Sequence, residues 1–287
     1  GEGLNGGTYT PSATTLAVSG IVNTGTINIP IVKGANSSSN IVGNPYPSAV
    51  NLGNVMYNAR QAGVISGSAY WVWDAEAGTT GAYIVQPITA ATDYYNLPSA
   101  GAFVVNAATN GNLTFHETDK ITTGDQLFRT TNAGPVNRVE FRLYSNNDSI
   151  YWDRLFTSFN DQSANGVDEF DGSKASNPNV NFYSIAPDST QLSVDARPFV
   201  NNMVIPIGFK TNMPVQQYKI KVQTYALTSD HILYLVDNYL NTVQPMQLGS
   251  EYTFDVTSDP ASQGNGRFQL NGSVVASTIV KNTNTTN

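Results

Sequence analysis

Short segments of alternating polarity, rich in Val, Ile, Tyr, Phe and Thr, run through most of the chain and are separated by Gly, Pro and Asn. This rhythm is typical of strands joined by tight turns, because successive side chains of a strand point to opposite faces. In the segment 137–144, Val139, Phe141 and Leu143 are predicted to face a core. The intervening side chains are predicted to face water: Arg138, Glu140, Arg142 and Tyr144.

So many short strands predict an all-β protein of two tandem antiparallel β-sandwich domains of jelly-roll-like type, with one short surface helix. The helix is predicted over 52–62, where Val55, Met56 and Ala59 form a narrow apolar stripe. A polar, turn-forming run at 130–135 separates two strand-rich regions. The predicted limits are 1–131 and 132–273 for the two sandwiches and 274–287 for a linker or tail.

The composition excludes several classes of function. The 287 residues include 14 Lys and Arg against 21 Asp and Glu, and the net charge of -7 argues against a nucleic-acid partner. Only 12% of residues are charged whereas 40% are hydrophobic, which predicts a packed core under a surface of uncharged polar residues, in the style of extracellular proteins. Cys is absent, so no disulfide, thiolate metal site or Cys nucleophile exists. No apolar stretch approaches the roughly 20 residues of a membrane span.

Groups for catalysis are sparse. The two histidines, His116 and His231, fall in different predicted domains, which makes a two-His metal site or a hydrolytic triad improbable. Neither histidine is assigned a role, and no catalytic residue and no enzymatic activity are predicted.

The densest cluster of carboxylates lies in the loop 160–181 and comprises Asp161, Asp168, Glu169 and Asp171. Glycosidases hold two carboxylates on either side of a sugar bond, whereas this loop is rich in Gly, Asn and Ser. A solvated loop is the favoured interpretation. The alternative is a calcium site at Asp168 and Asp171, with no other cofactor predicted, although their spacing does not fit an EF-hand.

Paired aromatic residues suggest a second kind of site. Adjacent residues of a strand face opposite ways, so one ring of each pair can be exposed and stack on a sugar. Core packing is the favoured interpretation of these rings, with glycan contact as the alternative. The candidate glycan-contact residues are Trp71, Trp73, Tyr94, Tyr95 and Trp152.

The segment 39–50 (SNIVGNPYPSAV) resembles the signature of β-sandwich modules in large type IX secretion cargo proteins and cell-surface adhesins of the Bacteroidota. The resemblance continues in the same order along nearly the whole chain. Further matching segments are YWVWD at 70–74, LTF at 113–115, FDGSKA at 170–175, IPIGFK at 205–210, LYLVD at 233–237 and GRFQL at 266–270.

The resemblance implies an extracellular, cell-surface location and a role in adhesion, as in the adhesins of gliding motility. The implied partners are surface glycans or other cell-surface proteins, and the type IX secretion machinery through a sorting domain expected beyond this chain. It also implies a glycoprotein with O-glycosylation at Asp-Ser triplets, which makes Ser149 and Ser189 the candidate acceptors.

Three functions therefore compete. A non-enzymatic structural and adhesive module of a large exported protein is favoured. The alternative is an accessory carbohydrate-binding module of a secreted polysaccharide-degrading enzyme. A hydrolase that uses Asp168 or Asp171 with Glu169 is the least favoured, because no partner base accompanies these carboxylates.

Overall fold

A computed structural model describes residues 19–35, 37–88, 95–121, 137–145, 148–214 and 216–274. The fold is all-β with one α-helix among these residues, as predicted, while the tandem-sandwich arrangement stays a prediction. No helix in the described ranges is long and apolar enough to cross a membrane. The predicted boundary run, the tail beyond residue 274 and Tyr94 lie outside the described residues.

The described part of the N-terminal half contains eight strands and the helix. They are β1 (Ile27–Ile31), β2 (Ser39–Gly43), β3 (Val50–Asn51), α1 (Leu52–Gln61), β4 (Ala69–Asp74), β5 (Ala82–Pro87), β6 (Asn96–Leu97), β7 (Ala102–Asn106) and β8 (Gly111–Phe115). Strands β2, β7, β4 and β5 form a four-stranded antiparallel sheet in that order, β1 pairs with β8, and β3 pairs with β6. A 3₁₀ turn at Glu117–Asp119 follows β8.

Helix α1 begins where the Asn51 side chain accepts a hydrogen bond from the backbone N–H of Gly53, at 2.9 Å. This contact satisfies one of the N–H groups that a helix leaves unpaired at its start. The helix buries Leu52, Val55 and Met56 in the N-terminal core and packs on β8. It therefore covers that core, as the apolar stripe predicts.

The C-terminal half forms one eleven-stranded sheet. Its strands are β9 (Arg138–Ser145), β10 (Asp153–Phe159), β11 (Gly172–Ser173), β12 (Val180–Ile185), β13 (Gln191–Arg197), β14 (Met203–Thr211), β15 (Gln217–Ala226), β16 (His231–Asp237), β17 (Thr242–Met246), β18 (Glu251–Asp255) and β19 (Gly264–Val274). Their order is β17, β16, β19, β14, β12, β13, β10, β9, β15, β18, with β11 beside β13. Among the strands that the structure describes, only the β10–β13 pair is parallel.

This sheet folds back on itself. Strands β12 and β13 pair over two residues at their hairpin end, which divides the sheet into a first limb (β13, β10, β9, β15 and β18) and a second limb (β12, β14, β19, β16 and β17). Side chains of both limbs share one core. The ring of Phe254 in the first limb lies 5.1 Å from that of Phe209 and 4.8 Å from that of Phe268, both in the second limb.

The first limb has a covered outer face as well. Every residue of β10 except Ser158 is buried, and so is every residue of β13 except Gln191. Strands buried on both faces lie between two packed layers. The layer on the outer side is the N-terminal sheet, because β10 and β13 both contact β5.

Candidate functional site

The N-terminal sheet and the first limb meet in a surface that we call the joint. It consists of a small apolar cluster (Ala69, Trp71, Val85, Phe156 and Val194) and the polar side chains beside it. The first three residues belong to β4 and β5, and the other two to β10 and β13. The joint is therefore built by residues about 70 to 125 positions apart in the chain.

Arg154 is the central polar residue of the joint. Its buried guanidinium donates from Nε to the carbonyl oxygen of Val85, at 2.7 Å, and from Nη2 to the same oxygen. Nη2 also donates to Oε1 of Gln86, at 2.6 Å. The planar fork of an arginine can hold several acceptors at once, so a side chain of β10 fixes the backbone of β5.

The charge of Arg154 is balanced from the neighbouring strand. Oε1 of Glu140 lies 3.4 Å from Nη1 of Arg154 and 2.6 Å from Nε of Arg142. Burial alone would raise the pKa of Glu140, but the positive charges of Arg154 and Arg142 outweigh it and hold the pKa below its ordinary value. Glu140 is therefore an ionised carboxylate in a buried network.

These positions correct the expectation that Arg138 and Glu140 face water, while Arg142 and Tyr144 are half-buried. Arg138 and Glu140 are each 1% exposed. The guanidinium of Arg138 lies 5.1 Å from the ring of Phe156 in the joint. The alternation in β9 is real, but its polar side faces the joint and meets charges and rings there.

Two tyrosines border this network. The guanidinium of Arg142 lies 4.5 Å from the ring of Tyr151. Burial is the largest cause that raises the pKa of Tyr95 to about 12, and the nearby Tyr151 and Asp74 add to it. Burial raises the pKa of Tyr151 as well, so both hydroxyls are neutral at physiological pH.

A second contact between the halves is formed by the loop after β10. The backbone N–H of Ser68 donates to the carbonyl oxygen of Asp171, at 2.8 Å, and Nη2 of Arg60 in α1 donates to that of Glu169, at 3.2 Å. The guanidinium of Arg60 also lies 5.4 Å from the ring of Phe170. The loop is thus fixed to the N-terminal half.

The candidate calcium ligands Asp168 and Asp171 form hydrogen bonds with the backbone in and around this loop. Asp168 accepts from the backbone N–H groups of Ala164, at 2.7 Å, and Phe170, at 2.8 Å. Asp171 accepts from those of Ala196, at 2.8 Å, and Asp168, at 2.9 Å. All four carboxylate oxygens therefore hold backbone groups, and the described residues contain no group of three or more His, Cys, Asp or Glu side chains able to hold a metal.

Asp171 is also buried, which corrects the interpretation of the whole cluster as solvated. Burial is the main cause that raises the pKa of Asp171 to about 6, against the two backbone hydrogen bonds that lower it. The neighbouring Asp195 adds to the increase.

A buried ion pair braces the same region. Nζ of Lys174 lies 3.0 Å from Oδ2 of Asp153, and both side chains are almost fully buried. Asp153 also accepts from the backbone N–H of Phe182, at 2.8 Å, so it links β10 to β12. Burial raises the pKa of Asp153 even though Lys174 and these hydrogen bonds oppose the change.

A family model described as a domain of unknown function (DUF8693) matches residues 3–271. The chain belongs to the DUF8693 family. The matched span contains both halves and the joint between them. No curated protein and no solved structure matches the sequence at a significant level.

The candidate glycan-contact rings of this DUF8693 chain differ in their exposure to solvent. Trp71, Tyr95 and Trp152 are at most 8% exposed, so these three predictions are wrong. Trp71 packs in the joint, and Trp152 donates from its indole N–H to Asp148, at 2.7 Å. Tyr95 lies in the N-terminal core and Trp152 in the core of the C-terminal sheet, and strand alternation alone cannot reveal which ring of a pair is buried.

Trp73 is the described candidate that stays accessible, with 41% of its surface exposed. Its ring meets that of Tyr83 edge to face, with centroids 4.9 Å apart. Gly81, at φ +83°, lies beneath the indole, where an added Cβ would come within 2.5 Å of the ring. The glycine therefore gives the indole room to lie close to the surface.

The two candidate glycosylation serines lie in exposed positions of the DUF8693 fold. Ser149 is in the bend before β10, and Ser189 is in the turn between β12 and β13 with φ +72°. The described structure leaves both hydroxyls accessible, so the modification stays a prediction.

The histidines, which the sequence leaves without a role, pack locally. Nδ1 of His116 lies 3.2 Å from Oγ1 of Thr26, and the ring of His231 stacks on Phe199 with centroids 3.9 Å apart.

The polar groups of the segment GNPYPS (43–48) hold neighbouring parts of the backbone. Tyr46 is buried and donates to the carbonyl oxygen of Phe115, at 3.1 Å, while Nδ2 of Asn44 donates to three backbone carbonyls.

Proposed function

We propose that this protein is a non-enzymatic structural and adhesive module of a large extracellular protein, exported by the type IX secretion route and displayed at the cell surface. The observation that carries the proposal is the joint. A chain of two loosely linked domains bends at its linker, whereas a buried, hydrogen-bonded contact holds its two parts in one orientation. A module of this kind can present a contact face at a fixed distance from the cell.

The chemistry of the buried charges supports the same conclusion. Glu140 and Arg154 hold each other and the backbone of β5, and Asp168 and Asp171 hold a loop. These groups therefore satisfy structural hydrogen bonds. Partners of the adhesive module are surface glycans or other cell-surface proteins.

The proposal is tested with the purified chain coupled to beads. We expect the beads to adhere to glycan-coated or cell-derived surfaces more strongly than beads that carry a heat-unfolded sample of the same chain. We also expect no turnover with a panel of glycoside, ester and peptide substrates. Hydrolysis by the purified chain, or adhesion no stronger than that of the unfolded sample, would contradict the proposal.

The alternative is an accessory carbohydrate-binding module, and the Trp73–Tyr83 pair favours it. An accessible indole supported edge-on by a second ring is a suitable platform for the apolar face of a sugar. We expect Trp73→Ala to reduce binding to polysaccharides at least about fivefold if this pair is the platform, since central aromatic contacts carry much of the binding energy. Unchanged binding in pull-down assays with insoluble polysaccharides would eliminate this platform.

A further inference from the structure

A surface cavity of about 460 Å³ opens at one end of the second limb, away from the residues discussed above. Its lining comes from three neighbouring segments: the residues after β16, the 3₁₀ turn at Pro260–Ser262, and the start of β19. The lining residues are Asn238, Tyr239, Ala261, Gln263, Gly266 and Arg267. The volume is within the range of small-molecule sites, about 300 to 1,000 Å³.

The floor of this cavity is a buried and neutralised arginine. Nη2 of Arg267 lies 2.9 Å from Oδ2 of Asp237, and Nη1 donates to the carbonyl oxygen of Asp255, at 2.8 Å, and to that of Ser262. Asp237 is as deeply buried as Arg267 and also accepts from the hydroxyl of Tyr252, at 3.0 Å. The positive charge is already paired, so the floor is rigid and has no strong preference for an anion.

The rim presents one amide oxygen and one amide N–H₂ group in fixed positions. Nδ2 of Asn238 donates to the carbonyl oxygen of Gly266, at 3.0 Å, and Oε1 of Gln263 accepts from the backbone N–H of Thr211, at 2.8 Å. Each amide is thus anchored through one of its polar atoms. Within the described ranges, Oδ1 of Asn238 and Nε2 of Gln263 have no hydrogen-bond partner.

An aromatic ring lines the same cavity. Tyr239 is half-buried, its ring lies 5.2 Å from the guanidinium of Arg267, and its backbone N–H donates to Asp237, at 3.0 Å. The backbone is therefore held by the same carboxylate that neutralises the floor.

The geometry points to a binding site for an uncharged saccharide in this cavity. A sugar ring offers an apolar face for an aromatic side chain and hydroxyl groups that both donate and accept, which matches Tyr239, Asn238 and Gln263. The inference rests on the proposed adhesive function and names the chemistry of its ligand. It places the contact on the second limb, whereas the Trp73 platform is in the N-terminal half.

The test is calorimetric titration of the full chain with neutral oligosaccharides of hexoses and N-acetylhexosamines, and with uronic-acid and sialylated oligosaccharides for comparison. We expect at least one neutral probe to bind, and Tyr239→Ala to weaken it about tenfold or more. Asn238→Ala is the second variant, because Asn238 is exposed and its replacement does not alter the core. It is expected to weaken the same probe severalfold.

Two matched controls locate the effect. Tyr234→Ala removes a half-buried tyrosine from β16 outside the cavity, and Trp73→Ala removes the other platform. Both are expected to leave affinity for the neutral probe unchanged. In NMR titrations with the neutral probe, the largest changes in backbone amide chemical shift are expected at Asn238, Tyr239 and Gln263.

The inference is overturned if no neutral probe binds, if anionic probes bind more tightly, or if Tyr239→Ala and Asn238→Ala variants that unfold like the wild type bind equally well. In each of these cases bead adhesion that persists would leave the proposed adhesive function intact. Loss of adhesion by the wild-type chain would instead reject the proposed function itself.

Discussion

At the scale of single residues, the polar side chains of this protein act mainly as anchors for backbone. Asp168, Asp171 and Asp153 accept backbone N–H groups from other positions, and Arg154 donates to a backbone carbonyl. A buried polar group costs free energy unless it is hydrogen-bonded, so such residues are effective where strands and loops must meet in one arrangement.

Asp171 leads to a prediction about pH. The pKa of its carboxyl group is 3.8 in the unfolded chain and is raised to about 6 in the folded chain. Between these values the folded state binds more protons, so the contribution of Asp171 to stability decreases as the pH rises from 4 to 6 and is constant above that. In urea titrations at several pH values, the difference in unfolding free energy between wild type and Asp171→Asn should decrease over this range.

The matched control for this experiment is Asp161→Asn, which changes an exposed carboxylate of the same loop. It controls for the removal of one negative charge from this loop. A difference between wild type and Asp171→Asn that does not change with pH would contradict the elevated pKa.

At the scale of elements, most strands and the helix could be predicted from the sequence, but the covering of the first limb could not. Strand β9 is shifted by one residue from the predicted segment 137–144, and the helix ends one residue earlier than predicted. Alternation in β9 specifies two faces, but the sequence pattern of a polar face is the same whether that face contacts water or a second layer with charged side chains. The informative signal is that Arg154 of β10 lies beside Glu140 and Arg142 of β9, three charged residues in a chain with few charges.

The same limit explains the missed edge strand and the missed cavity. Strand β17 contains Pro245, and a proline is tolerated there because β17 lies at the edge of the sheet. Asn238, Tyr239 and Gln263 have no motif in common, and the cavity brings them together only because β16 pairs with β19. Long-range pairing of this kind leaves no local sequence pattern.

Replacement of Arg154 tests the joint as an element of stability. Arg154→Met retains much of the apolar stem but leaves Glu140 without its closest buried partner across the strands and Val85 without a donor. We expect a loss of about 3 kcal/mol in unfolding free energy, because the change removes one cation beside the buried Glu140 and leaves the buried acceptors of β5 without their donor. Guanidinium denaturation monitored by tryptophan fluorescence measures it.

Lys221→Met is the matched control, since Lys221 pairs with Glu251 at 3.0 Å on the surface. Surface pairs of this type contribute less than about 1 kcal/mol. Similar losses of unfolding free energy for the two methionine variants would indicate that the joint contributes no more to stability than a surface ion pair.

Gly172 provides an independent test at the same contact. A Cβ at this position would lie 2.4 Å from Cβ of Ala69 and 3.2 Å from Cβ of Val194, so the N-terminal sheet and the first limb would have to separate. We expect Gly172→Ala to cost about 1 to 3 kcal/mol of stability, as overpacked cores do. Gly166→Ala, where the added Cβ meets open space, should change the melting temperature little, and equal effects of the two changes would refute the close approach.

At the scale of the whole molecule, the three layers are mutually dependent. The first limb packs on the second limb through one core and on the N-terminal sheet through the joint. Calorimetric unfolding is therefore expected to show one transition, with equal calorimetric and van't Hoff enthalpies. Two well-separated transitions, each with its own enthalpy, would show that the halves are independent and that the joint is weak.

The burial of β10 and β13 on both faces also determines what happens when the chain is divided. A cut between residues 121 and 137 would give two fragments, and the second would expose the outer side of these strands with Phe156, Val194 and Arg154. Such a fragment should self-associate when alone and become soluble on mixing with the first, so the two pieces would act as a complementing pair. Size-exclusion chromatography should show aggregates of the second fragment alone and a soluble complex of both fragments after mixing.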